Sequence, residues 1–289
     1  MVKPLKINGK VALITGASSG FGLLAALRLA KRGWIVFAGY RNEAAASSMQ
    51  RQANEAGVGI QVRPIKLDVT REEDVVQAIG QIQHEAGRLD ALVNNAGIAV
   101  GGFLEELPLS EWRRQFDTNL FGVIAVTRAA LPMLRSSKGR IVMIGSVSGH
   151  IGFPALGPYC ASKHALSGLA ESLRLELASV GVAVSIVEPG PYRTAIWRKG
   201  MADITPPAAD SPYAKLLDRL LPMFEQSAKR GGDPQRVAAA IARALRARRP
   251  KLRYMPTMSE RMTLAAKRFL PWSWMERASL RILGVKRGE

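Results

Sequence analysis

Short apolar runs and amphipathic stretches alternate through the first two thirds of the chain. Six runs rich in branched aliphatic residues occupy positions 10–15, 34–38, 61–66, 89–94, 140–145 and 182–188. Between them lie stretches with helical apolar spacing, which include positions 22–32, 71–86, 111–134 and 159–180. Strands that are apolar throughout and are separated by helices are typical of a parallel sheet covered on both faces. The sequence therefore predicts one doubly wound α/β domain.

A glycine-rich turn follows the first predicted strand. Positions 15–22 carry glycines at 16, 20 and 22, and a helical stretch begins where the turn ends. Such glycines permit a tight turn and let the backbone approach a pyrophosphate closely. The unpaired N–H groups at the start of the following helix attract that anion. Between a first strand and a first helix, the turn indicates a Rossmann dinucleotide site. The predicted contacts there are Gly16, Ser18, Ser19, Gly20, Phe21 and Gly22.

The end of the second strand bears on the choice of cofactor. An NAD site usually places Asp or Glu there, to accept a hydrogen bond from the ribose 2′-hydroxyl. Positions 39–42 read Gly-Tyr-Arg-Asn and contain no acid. The guanidinium of Arg41 could hold a 2′-phosphate with two hydrogen bonds, although a solvated arginine that opens a helix is the alternative. The sequence favours NADP(H) over NAD(H).

Composition excludes several other classes of protein. The chain has 289 residues and a single cysteine, so it cannot form an intrachain disulfide, and this suits a reducing compartment. One cysteine and three scattered histidines offer no metal-ligand pattern, so no metal site is expected. An apolar strand begins within ten residues of the first methionine, which leaves no room for a signal peptide. No apolar run approaches the length of a membrane-spanning helix, and a cytoplasmic location is expected.

The regular alternation ends after Pro189. Positions 191–233 are broken by prolines but rich in apolar residues, which is typical of a binding loop or lid. We predict a Rossmann-type catalytic domain over residues 1–249 with a helical substrate lid at about 191–233, followed by a helical C-terminal extension over 250–289. The net charge of +18 is concentrated at this end, because positions 229–289 hold 16 Lys and Arg residues and only 4 acids.

Ordered motifs along the chain resemble those of the short-chain dehydrogenase/reductase family, and the tail at 250–289 is similar to the C-terminal extensions of its retinol- and hydroxysteroid-dehydrogenase-like members. The separations of the motifs match the family pattern, and the resemblance covers about residues 7–195. The motifs are the glycine turn at 15–22, Asn-Asn-Ala-Gly at 94–97, Asn119, Ser146, Tyr159, Lys163, and Pro189-Gly190 with Thr194. The resemblance implies a nicotinamide-dependent oxidoreductase that acts on a CH–OH group and forms a homodimer or homotetramer. With the absence of an acid at 39–42, NADP(H) is the expected cofactor.

The resemblance also implies further cofactor contacts. Asp68 would hold the adenine ring together with Val69, although Asp68 could instead cap the helix that begins near position 71. The adenosine ribose would be lined by Asn95, Ala96 and Gly97. The nicotinamide and its carboxamide would be met by positions 187–194, which include Pro189, Gly190 and Thr194.

Tyr159 and Lys163 are the central pair of the predicted catalytic set. Four residues apart on a helix, they share one face. Reduction of a ketone needs a proton donor, and a phenol has a pKa of about 10. We expect the Lys163 ammonium, with the positive charge of the oxidised nicotinamide added to it, to lower this pKa. A pKa of about 7 would require roughly 4 kcal/mol of differential stabilisation. Ser146, at a strand end, would hydrogen-bond the substrate carbonyl.

The resemblance assigns two further roles in this set. It implies that Lys163 also holds the nicotinamide ribose hydroxyls and that Asn119 keeps a water in line to Lys163. A hydrolase is the weaker interpretation, because Gly145-Ser146-Val147-Ser148-Gly149 only superficially resembles a nucleophile elbow, even with His150 and His164 nearby. Cys160 is expected to serve packing. The alternative function is a catalytically silent dinucleotide-binding regulatory or scaffolding protein, which would be expected to have lost a catalytic residue.

The substrate is expected to be a small lipophilic ketone, aldehyde or alcohol. The apolar lining predicted around the reaction centre is Ile98, Val100, Phe103, Val147, Ile151, Phe153, Leu156, Tyr192 and Trp197. The tail at 250–289 mixes Lys and Arg with Met, Leu, Phe and Trp at nearly helical spacing, which allows peripheral contact with anionic lipid. It also allows an apolar face that closes the pocket or meets another subunit, and we favour this interpretation. Nucleic-acid binding is not favoured, because no recognised module accompanies the charge.

Overall fold

The computed structural model describes residues 9–194, 204 and 210–285, and strands alternate with helices through most of this part of the chain. All six predicted strands are present, with ends within two residues of the predicted positions. They are β1 (Val11–Ile14), β2 (Ile35–Tyr40), β3 (Val62–Lys66), β4 (Ala91–Asn94), β5 (Arg140–Ile144) and β6 (Ala183–Val187). The helices that connect them are α1 (Gly20–Ala30), α2 (Glu43–Glu55), α3 (Glu72–Ala86), α4 (Leu109–Phe116), α5 (Gly122–Ser136) and α6 (Gly157–Glu176).

The sheet has seven strands in the order β3-β2-β1-β4-β5-β6-β7, and all neighbours are parallel. Its last strand, β7 (Arg253–Tyr254), is only two residues long and was not predicted. The chain runs outward in one direction from β1 to β3 and in the other direction from β4 onward. The carboxyl ends of β1 and β4 therefore border a crevice, the place where open α/β sheets bind ligands. The predicted doubly wound fold is confirmed.

The core lies in two apolar layers, one on each face of the sheet. Alternate residues of β1 point to opposite faces: Ala12 and Ile14 pack towards α1 and α8 (Gln235–Arg246), and Val11 and Leu13 pack towards α3, α5 and α6. Burial on both faces explains why these strands are apolar throughout rather than alternating.

The long helical stretch predicted at 111–134 is divided. Helices α4 and α5 are joined by a π-helical turn, Asp117–Phe121. An isolated π turn inserts extra backbone into a helix and is frequent at functional sites. This turn carries the predicted site residue Asn119.

The chain after β6 forms helices that pack on the sheet and on one another. Helix α7 (Ala214–Arg230) belongs to the predicted lid, and its Leu217 and Leu220 are buried beside Phe103 and Ala155. The rest of the predicted lid falls partly on 195–203 and 205–209, which lie outside the described residues. After α8 and β7, the tail forms α9 (Met258–Phe269) and α10 (Trp272–Ile282). In the described part of the chain, no helix has both the length and the apolar character needed to cross a membrane.

Candidate active site

A crevice of about 990 Å³ opens at the carboxyl ends of β1 and β4. It brings together nearly all the predicted cofactor and catalytic residues. Those on its walls are Gly16, Ser18, Ser19, Gly20, Phe21, Arg41, Asp68, Val69, Asn95, Ala96, Gly97, Ser146, Tyr159, Lys163, Pro189, Gly190 and Thr194. Only Gly22 and Asn119 of the predicted set do not line it. Residues that are up to 178 positions apart in the sequence thus share one cavity, because parallel strands end at the same edge of the sheet.

Two glycines at the turn between β1 and α1, Gly16 and Gly22, leave no room for a side chain. Gly16 and Gly20 have left-handed backbone conformations, with φ of +61° and +57°, which only glycine adopts readily. A Cβ on Gly16 would lie 2.8 Å from Cα of Ala96, and one on Gly22 would lie 2.5 Å from Nδ2 of Asn95. Gly22 therefore serves the close packing of α1 behind the crevice, and its predicted cofactor contact is indirect.

Two observations test whether this crevice fits a dinucleotide, and both are favourable. Helix α1 begins after Ser19, whose side chain makes no capping hydrogen bond, so the first N–H groups of the helix remain available to an anion. The Thr194 hydroxyl is buried and has no partner among the described residues. A buried donor without a partner is costly, and a polar group of a cofactor beside Pro189, Gly190 and Thr194 would satisfy it.

The adenosine end of the crevice contains Asp68 and Arg41. One oxygen of Asp68, Oδ1, accepts hydrogen bonds from the backbone N and the hydroxyl of Thr70 at 3.0 and 2.7 Å. Asp68 thus stabilises the turn before α3, and its other oxygen has no hydrogen bond within the described residues. Arg41 has no hydrogen bond or ion pair there either, whereas the nearest acid, Glu43, accepts from the Tyr40 hydroxyl at 3.2 Å.

The catalytic set converges where β5 ends and α6 begins. Tyr159 lies in the first turn of α6, and its hydroxyl is hydrogen-bonded to the side chain of Ser146, the residue that caps the short 3₁₀ turn after β5. Nζ of Lys163 lies 5.8 Å from the Tyr159 ring centre and donates to the carbonyl of Ile144 at 2.7 Å. All three side chains are buried. The phenol and the serine hydroxyl can therefore reach one carbonyl oxygen.

Burial sets the proton affinities of this pair in the protein alone. Desolvation raises the pKa of Tyr159 to about 12, against a smaller lowering by the Ser146 hydrogen bond. Desolvation also lowers the pKa of Lys163 to about 8. In the protein alone, the cost of burying a phenolate therefore outweighs the attraction of Lys163, whose ammonium is bonded to Ile144. The predicted lowering of the phenol pKa, which also requires the charge of the bound cofactor, stays a prediction.

Asn119 lies behind the crevice wall rather than on it. Its Oδ1 accepts from the backbone N of Ile98 at 2.9 Å, and its Nδ2 donates to the Ile98 carbonyl at 3.0 Å and to the Ser162 hydroxyl at 3.3 Å. The amide therefore fastens the loop after β4 to the helix that carries Tyr159 and Lys163. The π turn places Asn119 for these three bonds.

The histidines near the catalytic set do not form a hydrolase triad. Nε2 of His150 lies 2.8 Å from Oε1 of Glu188, and Nδ1 of His164 lies 2.8 Å from the carbonyl of Cys160. Cys160 is buried in an apolar cluster beside Tyr159, as expected for a packing residue, and burial raises the pKa of its thiol. Across the described residues, no three His, Cys, Asp or Glu side chains are grouped so as to hold a metal ion.

The predicted apolar lining is only partly brought to the crevice. Ile98 and Tyr192 are on its walls. Leu156 packs directly against Tyr159. Phe103 belongs to the apolar cluster that packs against α7 and stacks on Tyr213 with ring centroids 4.7 Å apart. These side chains give the region between the reaction centre and α7 an apolar character.

Other members of that predicted lining lie elsewhere. Val100 is fully buried and Val147 is also buried, so both belong to the packing. Phe153 is exposed, and Ile151 is half-buried. Trp197 lies outside the described residues.

A buried glutamate of the tail also supports the site, and the sequence analysis missed it. Oε1 of Glu260, in the first turn of α9, accepts from the backbone N of Gly190 at 3.1 Å and from the Tyr192 hydroxyl at 2.8 Å. Its Oε2 accepts from the N and the hydroxyl of Thr257, which completes a capping box. This carboxylate raises the pKa of Tyr192, adding to the larger effect of burial. The Thr-x-x-Glu spacing was a visible signal for the helix start.

A second tail residue supports the end of β6. The Arg253 guanidinium, on β7, is paired with Glu188 and with Glu171 of α6. Glu188 is fully buried and directly precedes Pro189 on the crevice wall. The tail therefore contacts both ends of the loop that is predicted to meet the nicotinamide.

Comparison with known proteins agrees with this fold. A family model described as short chain dehydrogenase matches residues 10–204. The chain is 41% identical over 273 residues to the "Uncharacterized oxidoreductase YusZ" of Bacillus subtilis, a match that covers 93% of this chain and 97% of that protein. It is 36% identical over 246 residues to the 3-ketodihydrosphingosine reductase of Bacteroides thetaiotaomicron, covering 84% and 86%.

Solved structures give the same assignment. The crystal structure of a short-chain dehydrogenase from Streptomyces avermitilis superposes with a TM-score of 0.76 at 32% identity, covering 95% of each chain. The fold and the crevice define an oxidoreductase of the dinucleotide-binding α/β class. The chain belongs to the short-chain dehydrogenase family, as the motifs indicated.

Proposed function

We propose that this protein is an NADP(H)-dependent oxidoreductase that interconverts a lipophilic ketone or aldehyde and its alcohol, with Tyr159 as the acid and base. The observation that carries the proposal is the convergence of Tyr159, Ser146 and Lys163 at one end of the dinucleotide crevice. Each side chain is of the type that carbonyl reduction needs, and none of the set is missing. A homodimer or homotetramer is part of the proposal, and sedimentation velocity of the full chain tests it.

The bound nicotinamide would supply or accept the hydride. In the direction of reduction, Ser146 donates a hydrogen bond to the substrate carbonyl oxygen, and the Tyr159 hydroxyl transfers its proton to that oxygen as negative charge develops on it. The phenolate that remains is stabilised by the cationic form of Lys163. Lys163 uses one of its three donors on Ile144, so the others can serve the cofactor ribose.

The proton affinities explain why a positive charge at the site matters. With a pKa raised to about 12, Tyr159 holds its proton firmly in the protein alone. Each pKa unit corresponds to about 1.4 kcal/mol of differential interaction. A nearby cation favours the phenolate, and Lys163, with a pKa of about 8, is mainly cationic at neutral pH. We expect the bound cofactor and the Lys163 charge together to make Tyr159 titratable.

Substitution of Tyr159 tests the acid–base role. Tyr159→Phe should lower turnover of NADPH with a hydrophobic ketone by about 10²- to 10⁴-fold, the usual contribution of a positioned acid, and should leave dinucleotide affinity nearly unchanged. Tyr254→Phe, which also removes one tyrosine hydroxyl but at the edge strand β7, is the matched control. Equal activity of the Tyr159→Phe protein and the parent would rule out this role.

The same experiment separates an enzyme from a silent dinucleotide-binding protein. If the parent binds NADPH but turns over none of a panel of ketones, aldehydes and alcohols of increasing chain length, the regulatory or scaffolding alternative is supported instead. The apolar surroundings of Leu156 and Phe103, under the lid helix α7, predict that KM falls as the alkyl chain lengthens. A relative whose name gives a ketone, 3-ketodihydrosphingosine, as its substrate supports the choice of carbonyl class.

Arg41 is proposed to select NADP(H). It lies on the crevice wall after β2 with no acid at positions 39–42, and Glu43 is engaged by Tyr40. A hydrogen-bonded contact to a charged group contributes about 1.5–3 kcal/mol. Arg41→Ala should therefore weaken NADPH binding by about 10- to 100-fold and leave NADH binding nearly unchanged. Titration of both dinucleotides measures this, with Arg51→Ala on the exposed side of α2 as control.

A preference of the parent for NADH, unaffected by Arg41→Ala, would overturn the cofactor assignment. It would leave the proposed role of Tyr159 untouched, because the two substitutions act at opposite ends of the crevice.

A further inference from the structure

The two tail helices expose a face of large apolar side chains. On α9, Met258, Met262 and Phe269 follow one another at intervals of four and seven residues, so they lie on one side of the helix. Phe269 is 77% exposed. On α10, where no residue is buried, Trp274 and Ile282 share a side at an interval of eight, and Trp274 is 61% exposed. We use the name tail face for the exposed large apolar side chains of both helices, which are Met258, Met262, Phe269, Trp272, Trp274 and Ile282.

The tail face is anchored to the folded domain at both of its ends. At the start of α9, Glu260 is 5% exposed and bonded to Gly190 and Tyr192. After α10, Leu283 is buried in the cluster under the lid, and Nη1 of Arg219 on α7 donates to its carbonyl at 3.1 Å. Leu283 therefore packs against α7, while the side chains of the tail face are exposed. Large apolar groups displayed together in this way mark an interaction surface.

Cationic side chains border the tail face. Positions 258–282 contain five Lys and Arg residues and two acids, of which Glu260 is buried. Nζ of Lys267 lies 4.6 Å from the centre of the Trp272 ring, so a cation and an indole occupy the same patch. The five cations are Arg261, Lys267, Arg268, Arg277 and Arg281. The surface is thus both apolar and positive, and a fitting partner is both apolar and negative.

We propose that the tail face docks the protein on an anionic lipid bilayer, with α9 and α10 lying in the plane of the headgroups. Helices with a cationic border and exposed Trp, Phe and Met bind at this depth. Trp side chains favour the boundary between headgroups and acyl chains, and Lys and Arg add attraction to anionic lipid. This inference is independent of the proposed catalytic function.

Other occupants fit the tail face less well. A two-fold contact between copies of this chain would press the same cationic border against itself, and like charges across an interface disfavour association. A nucleic acid would satisfy the cations but would leave the aliphatic side chains of Met258, Met262 and Ile282 without an apolar partner.

Vesicle binding by the full chain tests the proposal. The purified protein is mixed with vesicles of phosphatidylcholine alone or with 30% phosphatidylserine, in about 0.1 M salt, and recovered by flotation. We expect at least tenfold tighter binding to the anionic vesicles and a loss of binding as salt is raised, because salt screens surface charges. The double variant Trp272→Ser/Trp274→Ser and the double variant Lys267→Glu/Arg268→Glu should each weaken binding at least tenfold.

Matched controls distinguish a docking face from general stickiness. Lys31→Glu/Arg32→Glu changes another exposed Lys-Arg pair, after α1, and Leu175→Ala removes another exposed apolar side chain. Both controls should bind anionic vesicles like the parent. Equal losses in Lys31→Glu/Arg32→Glu and in the tail variants would overturn the proposal, and so would absence of binding by the parent.

Two measurements address the other occupants. The tail face would be assigned to a second copy of the chain if two results were found together. The parent would fail to bind vesicles, and it would self-associate in lipid-free solution in a way that Trp272→Ser/Trp274→Ser abolishes. The tail face would be assigned to nucleic acid if the parent bound a single-stranded DNA oligonucleotide but not vesicles, and if the tail variants lost the binding to DNA. Thermal unfolding of each variant checks that it is folded.

Discussion

Replacing Glu260 by glutamine should loosen the loop after β6 by an amount that the hydrogen bonds predict. Four donors converge on its carboxylate: the backbone N of Gly190, the Tyr192 hydroxyl, and the N and hydroxyl of Thr257. The amide nitrogen of glutamine cannot accept, so at least one pair of donors loses its acceptor in a buried position. Hydrogen bonds to charged groups contribute about 1.5–3 kcal/mol, and an unsatisfied buried donor costs about 1–3 kcal/mol. We expect a loss of about 3 kcal/mol in the free energy of unfolding.

Urea unfolding of a double-mutant cycle measures this. Glu260→Gln, Tyr192→Phe and the double variant are compared with the parent, and Glu225→Gln, exposed on α7, is the control. Groups that share a hydrogen bond show coupling of about 0.5–3 kcal/mol, and the 2.8 Å contact predicts a value in the upper half of that range. Because Gly190 is on the crevice wall, Glu260→Gln should also weaken NADPH binding. Stability equal to that of Glu225→Gln, or strictly additive losses, would refute the reasoning.

Two further predictions concern the crevice itself. Lys163→Met should abolish turnover yet stabilise the protein by about 3 kcal/mol at pH 7, because burial lowers the pKa of Lys163 to about 8 from about 10.5 in the unfolded chain. Between pH 8 and 10.5 the unfolded state of the parent then binds more protons than the folded state, so the free energy of unfolding of the parent should rise across that window. The difference in stability between the parent and Lys163→Met should therefore shrink. Urea unfolding of both proteins at pH 7 and pH 10 can measure this. Gly16→Ala should destabilise by more than Gly33→Ala, since both glycines have positive φ but only a Cβ on Gly16 meets another residue. Thermal unfolding and NADPH titration should show that only Gly16→Ala loses the cofactor.

The sheet and the crevice could be predicted because their signals are local in the sequence. A strand buried on both faces reads as a short apolar run, and the glycines at 16 and 20 mark a turn that other residues would strain. Because the strands are parallel, their carboxyl ends lie at the same edge of the sheet. Once the order of the strands is known, the polar residues that follow neighbouring strands can be placed in one cavity. Ser146 could be placed at the crevice on this basis, whereas its grouping with Tyr159 depended on the family resemblance.

The supports from the tail could not be predicted in this way. Glu260 contacts Gly190 across 70 residues of sequence, and β7 has only two residues. The capping box of Thr257 and Glu260 predicts where a helix starts, but nothing local indicates that the other carboxylate oxygen reaches the crevice wall. The raised pKa of Tyr159 in the protein alone could not be predicted for a related reason: the charge of Lys163 is visible in the sequence, whereas the depth of burial depends on the whole fold.

These contacts decide how the tail can be studied. Truncation at residue 249 would remove the tail face, but it would also remove β7 and the residue before it. The carbonyls of Leu252 and Tyr254 there accept hydrogen bonds from the backbone N–H groups of Ile186 and Glu188. Glu188, fully buried, would lose Arg253, and loss of one partner from a buried ion pair costs about 3–5 kcal/mol. A truncated chain that failed to bind lipid or dinucleotide would therefore report damage to the sheet and to the loop after β6. Substitutions confined to exposed side chains of α9 and α10 leave those contacts in place, so only they can separate docking from folding.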